Sequence, residues 1–361
     1  MIRHLFFFLV WGMTIHAQSD FQSSVSRLAA DAARHYVAPA VSGFGTSMNS
    51  GWFHRVPEAR KFAFHFELGI TAMGAFFKPH SRKFSATGQL RLDSLQAAAI
   101  TQFVYSSDDF SLLSTEQKHA VQAALIQQII GSSVKVHLEG ATVVGGKKDS
   151  IRVAYQGVAL NYTDPLSGET HTIDVASEGG SFALPVAGLN LPAVGWYAYQ
   201  LTLGTFYGTQ LTFRFFPTRK AGALGTLKYS GIGIQHNPAI WTRKKLPVDV
   251  ALAVTSQTMR IGRAFEMRAA GFGITASRQF GWRFLHVAPY AGLMAESSSM
   301  RLRYDFLKAD GTTEKIDIKV RGDNPMRLTL GLSFRALIAN LNIDYGVARY
   351  HAVSAGLTLA F

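Results

Sequence analysis

The 361-residue chain contains no cysteine, which excludes disulfides, thiolate metal sites and Cys nucleophiles. It also lacks a long apolar run. The stretch over residues 5–15 is roughly 11 residues long, short of the ~20 that a spanning helix needs, and no later run reaches spanning length. An integral-membrane reading must therefore rest on strands. Charge is sparse, with 16% Asp, Glu, Lys and Arg, and acids are the scarcer sign: 23 against 36 bases, a net charge of +13. Twelve histidines are present, but none shows a metal-ligand spacing, so no metal or other cofactor is expected. His351 and Ser354 lie on opposite faces of a strand by parity and make no hydrolase pair, so the chain is not expected to be an enzyme.

What is present begins with a signal-like amino terminus. Arg3 and His4 precede the apolar run, and Ile15-His16-Ala17 ends on a small residue, which predicts cleavage after Ala17. A secreted chain seldom meets nucleic acid, so the basic balance points instead to anionic headgroups or an anionic solute. The last 36 residues alternate with a period of two. Leu328, Leu330, Leu332 and Phe334 share one face; Leu341, Ile343, Tyr345 and Val347 another; Leu357, Leu359 and Phe361 a third, each opposite small or polar residues. Strands that are apolar outside and polar inside are the pattern of a transmembrane β-barrel. The terminal Phe361 looks like the signal read by the barrel-assembly machinery of Gram-negative outer membranes, which predicts that address. A soluble β-sandwich is the rival, since alternation alone does not say which face meets solvent.

Between the ends, residues 20–38 predict an amphipathic helix with Phe21, Val25, Leu28, Ala32 and Tyr36 on one stripe, stopped by Pro39 and Gly43-Phe44-Gly45. The segment 18–58 reads as a helix and hatch-like linker, either a plug in the barrel mouth or a short periplasmic helix. The barrel then occupies 59–361, starting with a strand at 61–77 that turns His65 and Glu67 inward. A helix follows Ser114, in a helical or loop insertion near 105–132. Strand-like pieces at 134–144, 151–162 and 170–176 belong either to the wall or to a loop subdomain. Regular strands are predicted at 196–203, 209–216, 226–235, 248–256, 265–277 and 284–304. The segments 217–225, 257–264 and 305–325 read as longer loops and 237–247 as a long turn. The count is ten to fourteen. Trp196, Tyr197, Trp282, Tyr304, Tyr345 and Tyr350 fall near strand ends, as an aromatic girdle requires.

The helix leading into Gly43–Trp52, the strand from Tyr207 to Pro217, the run Ser230-Gly-Ile-Gly-Ile-Gln-His236 and the strand Val287-Ala-Pro-Tyr-Ala-Gly292 together resemble the long-chain fatty-acid transporter family, and look closest to an uncharacterised group of similar bacterial barrels. That resemblance implies 14 strands, an amino-terminal hatch and passage of apolar molecules. The family's hatch carries Asn-Pro-Ala near its end, where this chain has Asn49-Ser50-Gly51 before Trp52, the hatch candidates.

Strand phase assigns Arg214, Glu266, Arg268, Arg301, Arg303, Arg327, Arg335, Asn340, Asn342 and Asp344 to the lumen, where arginine forks would favour carboxylates, or would cross-link the wall. Arg260, Arg263 and Lys308 are read as rim residues gripping lipopolysaccharide phosphates. The expected function is passive transport of a small hydrophobic or amphipathic, fatty-acid-like molecule. The alternative is a non-transporting anchor or docking platform for secretion or adhesion partners.

Overall fold

The computed structural model describes residues 20–361 except 106–113, 131, 164–167, 176–178, 221–224, 243–246, 283 and 308–312. The proposed signal segment 1–17 lies outside the described residues, as does Lys308.

In chain order, helix α1 (Asp20–Asn49) leads to strand β1 (Phe62–Phe76). An insertion follows: β2 (Lys83–Arg91), α2 (Ser94–Tyr105), α3 (Thr115–Ile130), β3 (Ser133–Ala141), β4 (Ile151–Tyr155), β5 (Val158–Thr163), β6 (Thr170–Val175) and β7 (Gly180–Leu184). The chain then continues through β8 (Ala193–Phe206), β9 (Thr209–Lys220), β10 (Thr226–His236), β11 (Asp249–Ile261) and β12 (Phe265–Ser277). It finishes with β13 (Phe280–Trp282), β14 (Leu285–Leu307), β15 (Thr313–Arg321), β16 (Met326–Ala336), β17 (Ala339–Ala348) and β18 (Ala352–Ala360).

Ten strands close on themselves in antiparallel register: β1, β8 to β12, β14 and β16 to β18. The seams that make the ring are β1 against β18 and β12 against β14, which join Leu68 to Leu359 and Phe272 to Ala295. Closure pairs every wall strand on both sides, leaving no open edge. The terminal Phe361 continues the β18 seam by exchanging backbone hydrogen bonds with Phe66, at 2.8 and 3.1 Å. Outward positions are apolar and exposed, among them Phe272, Ile274, Leu330, Ile343 and Leu357. Inward positions include buried Gln200, Thr212, Gln235, Thr255 and Asn342. An apolar outside around a polar inside fits a bilayer rather than water and excludes the sandwich. Among the described residues no helix is long and apolar enough to cross a membrane.

The ring has ten strands, not the 14 implied by the family resemblance, because the insertion adds none to the wall. Strands β2, β3, β4 and β7 form a separate sheet and β5–β6 a separate hairpin. The α3 helix confirms the helical reading after Ser114, whose side chain and Gln117 cap it reciprocally. Helix α2, unforeseen, lies before it. Two expected loops are largely strand. Residues 257–261 continue β11, leaving a three-residue turn before β12, and the 305–325 loop contains β15, which pairs with the upper part of β14.

Helix α1 does not stop at Pro39 but runs through it to Asn49. Proline removes one intrahelical donor; what offsets that loss is the packing of both halves of the rod. Val25, Leu28, Ala32 and Tyr36 pack on the insertion core of Leu90, Leu125, Val136 and Val153. Val41 and Met48 pack on the wall at Met73, Tyr229, Met259 and Met267. The two glycines that read as breakers are close-approach sites. A Cβ on Gly43 would lie 2.5 Å from the Phe77 ring, and one on Gly45 2.2 Å from Ser298 Oγ. At about 1.5 Å per residue, thirty residues give a rod of ~45 Å, long enough to join the insertion to the middle of the lumen.

Candidate functional site

Inside the ring, α1 ends against two wall arginines. An α-helix leaves its last carbonyls without intrahelical donors, and its C-terminal end carries partial negative charge. Arg214 on β9 donates from Nη1 to the carbonyl of Ser50 at 2.8 Å and to that of Met48 at 3.4 Å. Its Nε donates to Gln200 Oε1 at 2.9 Å, and its guanidinium lies 4.2 Å from the Trp52 ring centroid. Arg327 on β16 donates to the Asn49 carbonyl at 2.7 Å and to Ser50 Oγ, and pairs with Glu296 of β14 at 2.9 Å. Both arginines are almost wholly buried. Trp52 adds an indole donor to the Met48 carbonyl at 3.1 Å.

The hatch candidates Asn49, Ser50, Gly51 and Trp52 thus form the seat of the helix. Gly51 adopts a left-handed φ of +66° with Ser354 and Thr71 where a side chain would stand. Gly231 and Gly233 of β10 make room for the Trp52 ring, which lies 2.9 and 2.7 Å from where their Cβ atoms would be. Asn49 receives a hydrogen bond from Gln257 at 2.9 Å and donates to the Ala270 carbonyl. Beyond the turn, Glu67 takes Arg55 at 2.6 Å and stands 3.4 Å from His54, and Asn237 donates to the Pro57 carbonyl at 2.8 Å. The plug is stitched to the wall from Val41 to Pro57. The cavity left beside Asn49, Trp52, Tyr290, Arg327 and Asp344 is about 40 Å³. That is water-sized, far below the ~300 Å³ at which ligand pockets begin.

Of the lumen candidates, Arg214, Arg327, Asn340, Asn342 and Asp344 are inward and buried. Asn340 accepts from Ser333, and Asp344 from Tyr290 and Ser354, at 2.7 to 3.0 Å. These residues cross-link the wall. Arg335 sits at the mouth nearest Phe361, bonded to the Leu337 carbonyl at 3.2 Å. Glu266, Arg268, Arg301 and Arg303 are not in the lumen. The first two share the parity of exposed Phe272 and Ile274, and the others that of Leu293, so all four face outward. Arg260 lies in the same outer patch, paired with Glu266 at 3.4 Å. Trp196 also departs from expectation, pointing inward onto Tyr229 with ring centroids 4.3 Å apart. The side chain of Tyr304 lies outside the described residues.

Sequence reading missed Glu296, Gln257, Tyr290 and Gln200. Glu296 was legible as a lone carboxylate in phase with Met294 and Met300, opposite the outward phase of Leu293. Among the described residues no cluster of three or more His, Asp or Glu is placed to hold a metal. A polar groove of about 470 Å³ opens on the insertion between Arg91, Ser94 and Ile130.

A closed ring of ten strands with an apolar exterior, a polar interior and a luminal helix is an outer-membrane-type β-barrel carrying its own plug. The chain belongs to a family of unknown function (DUF6588), whose model matches residues 1–361. No curated protein matches it. Among solved structures it is similar to OmpT, an outer membrane protein of Vibrio cholerae, at 9% identity over 83% of this chain and 100% of that one, with a TM-score of 0.22. It is similar also to an anion-selective porin from Comamonas acidovorans, at 11% identity over 83% and 99%, with a TM-score of 0.17. Both likenesses are slight.

Proposed function

We propose that the protein is a plugged outer-membrane anchor that holds the insertion of residues 78–192 at the end opposite Phe361, as a docking surface for a partner. The observation that carries this is the seat of α1. One helix runs from the insertion core into the lumen, where Arg214 and Arg327 bond its end. In the same proposal, export follows cleavage after Ala17 and Phe361 addresses the chain to the assembly machinery of a Gram-negative outer membrane. The second reading, passage of a fatty-acid-like molecule after the plug shifts, is favoured by the buried hydroxyls of Thr46 and Ser47, which have no hydrogen-bond partner in the plug seam.

Purified full-length protein in planar bilayers and liposomes separates the two. The anchor reading expects no steady conductance and no movement of labelled fatty acid through the intact protein, and only an unselective leak through the Arg214→Ala/Arg327→Ala variant, whose plug is unseated. Steady flux through the intact protein would overturn it. Movement of labelled fatty acid through the double variant that outpaces its leak of an unrelated solute of similar size would favour the gated transporter.

A further inference from the structure

Four neighbouring wall strands change their outward chemistry in one order, starting from the Phe361 end. On β10, Ile234 and Ile232 give way to Ser230 and then Lys228; on β11, Leu252 and Val254 give way to Ser256, Thr258 and then Arg260. On β12, Ile274 and Phe272 precede Ala270 and then Arg268 and Glu266; on β14, Leu293 and Ala295 precede Ser297, Ser299 and then Arg301 and Arg303. Register gathers the charged ends. Lys228 lies opposite Arg260, Arg260 opposite Glu266, Glu266 opposite Arg301, and Arg301 opposite Lys319 on β15. With strands ~4.8 Å apart, this five-strand row is about 20 Å long. Arg268 and Arg321 flank Ser299 in the next row.

The row contains its own spacers. Glu266 sits between Arg260 and Arg268, at 3.4 and 2.5 Å, and Asp317 between Arg301 and Arg303, at 2.5 and 3.7 Å. Each carboxylate holds two guanidiniums side by side and neutralises only one, so among the described side chains named here cations outnumber carboxylates seven to two. The arginine side chains paired with these carboxylates remain 45 to 64% exposed, with donors free for a further ligand. The patch is one-sided. Outward positions of β16 stay apolar from Phe334 to Met326, and those of β1 from Phe62 to Phe76.

Cations directly above an apolar belt sit at the depth of headgroups, and paired guanidiniums match phosphate oxygens in forked geometry. We propose that this patch on β10 to β15 is a docking site for phosphorylated lipid headgroups of the surrounding leaflet. The protein would then carry a preferred lipid contact on one flank of the barrel.

The test uses full-length protein in neutral-detergent micelles, with phosphatidic acid and phosphatidylcholine as probes and native mass spectrometry as the readout. Phosphatidic acid should be retained over phosphatidylcholine. Each lost cation should cost about fivefold, so Arg260→Gln/Arg268→Gln/Arg301→Gln/Arg303→Gln should reduce retention by more than about a hundredfold. The charge-matched control Lys135→Gln/Lys147→Gln/Lys148→Gln/Arg152→Gln, on the insertion, should leave it unchanged. Lys319→Gln/Arg321→Gln, on a strand outside the ten-strand ring, keeps the barrel intact and should also weaken retention. Equal loss in the control, unchanged retention in the β15 variant, or equal retention of phosphatidylcholine would overturn the proposal. Displacement of the lipid by millimolar inorganic phosphate would also overturn it, by making this a free-anion site.

Discussion

The guanidinium of Arg214 stacks 4.2 Å from the centroid of the Trp52 ring while donating to the carbonyl of Ser50 at 2.8 Å, two residues back along the chain. One wall side chain therefore fixes both the end of the plug helix and the turn that follows it. Its charge is offset by helix-end carbonyls, an amide oxygen and a ring face, and among the described residues no carboxylate pairs with it.

Replacing Arg214 by Ala should unseat the end of α1. Buried charge-assisted hydrogen bonds contribute ~1.5–3 kcal/mol each, and several are lost together, so a loss of about 3–5 kcal/mol is expected. Arg214→Lys should recover only part, because an ammonium lacks the fork and stacks less well. The heat-modifiability midpoint of the folded barrel measures this, and protease cleavage near Ser50 should rise in parallel. Unchanged cleavage in Arg214→Ala would remove its role as the plug lock.

The buried Arg327–Glu296 pair should behave asymmetrically. Either single change, Arg327→Met or Glu296→Gln, strands a partner and should cost about 3–5 kcal/mol, while the double variant should be milder than the sum. A double-mutant cycle on denaturant midpoints reads the coupling. Additive losses would mean that the 2.9 Å contact contributes little.

Gly45 should tolerate no side chain while Ser298 stands opposite. Gly45→Ala should destabilise by about 1–3 kcal/mol through overpacking. Ser298→Gly removes the Cβ and Oγ atoms that lie 2.3 and 2.2 Å from the added methyl, and should suppress the defect. Failure of that suppression would place the strain in the helix backbone instead.

Leu125→Ala should act locally. The side chain is fully buried in the insertion core, and such truncations cost ~2–5 kcal/mol. Hydrogen exchange in β2, β3 and α3 should quicken while barrel heat-modifiability holds. If the barrel fell with it, insertion and wall would be one cooperative unit.

The β15 hairpin should loosen in acid. The Arg301 hydrogen bonds hold the Asp317 carboxyl below its ordinary value of 3.8. A lowered folded-state pKa gives a contribution fully present above that ordinary value and lost as pH falls through the lower one. Exchange of β15 amides should therefore quicken only below about pH 4. Asp317→Asn should exchange faster at neutral pH and lose that acid dependence.

The wall was legible because strand side chains alternate with a period of two, so Leu328 to Phe334 announce their face without knowledge of any neighbour. The helix after Ser114 was legible from its cap. The error at Glu266, Arg268, Arg301 and Arg303 came from reading charge as interior, when their parity with Phe272 and Leu293 already placed them outside, beyond the apolar belt. Helix α1 past Pro39 was not legible. A local breaker signal is overridden there by packing against residues as distant as Met267 and Ser298.

The sequence by itself determined a β-barrel wall and the phase of its carboxy-terminal strands, both set by local periodicity. Only the tertiary structure decided that ten strands suffice, that the insertion stands apart, and that Arg214 and Arg327 meet the end of α1. Those depend on closing the seams of β1 with β18 and β12 with β14. Closure brings Arg214 and Arg327, 113 positions apart in the chain, to adjacent carbonyls of one helix end, a proximity that no local pattern encodes.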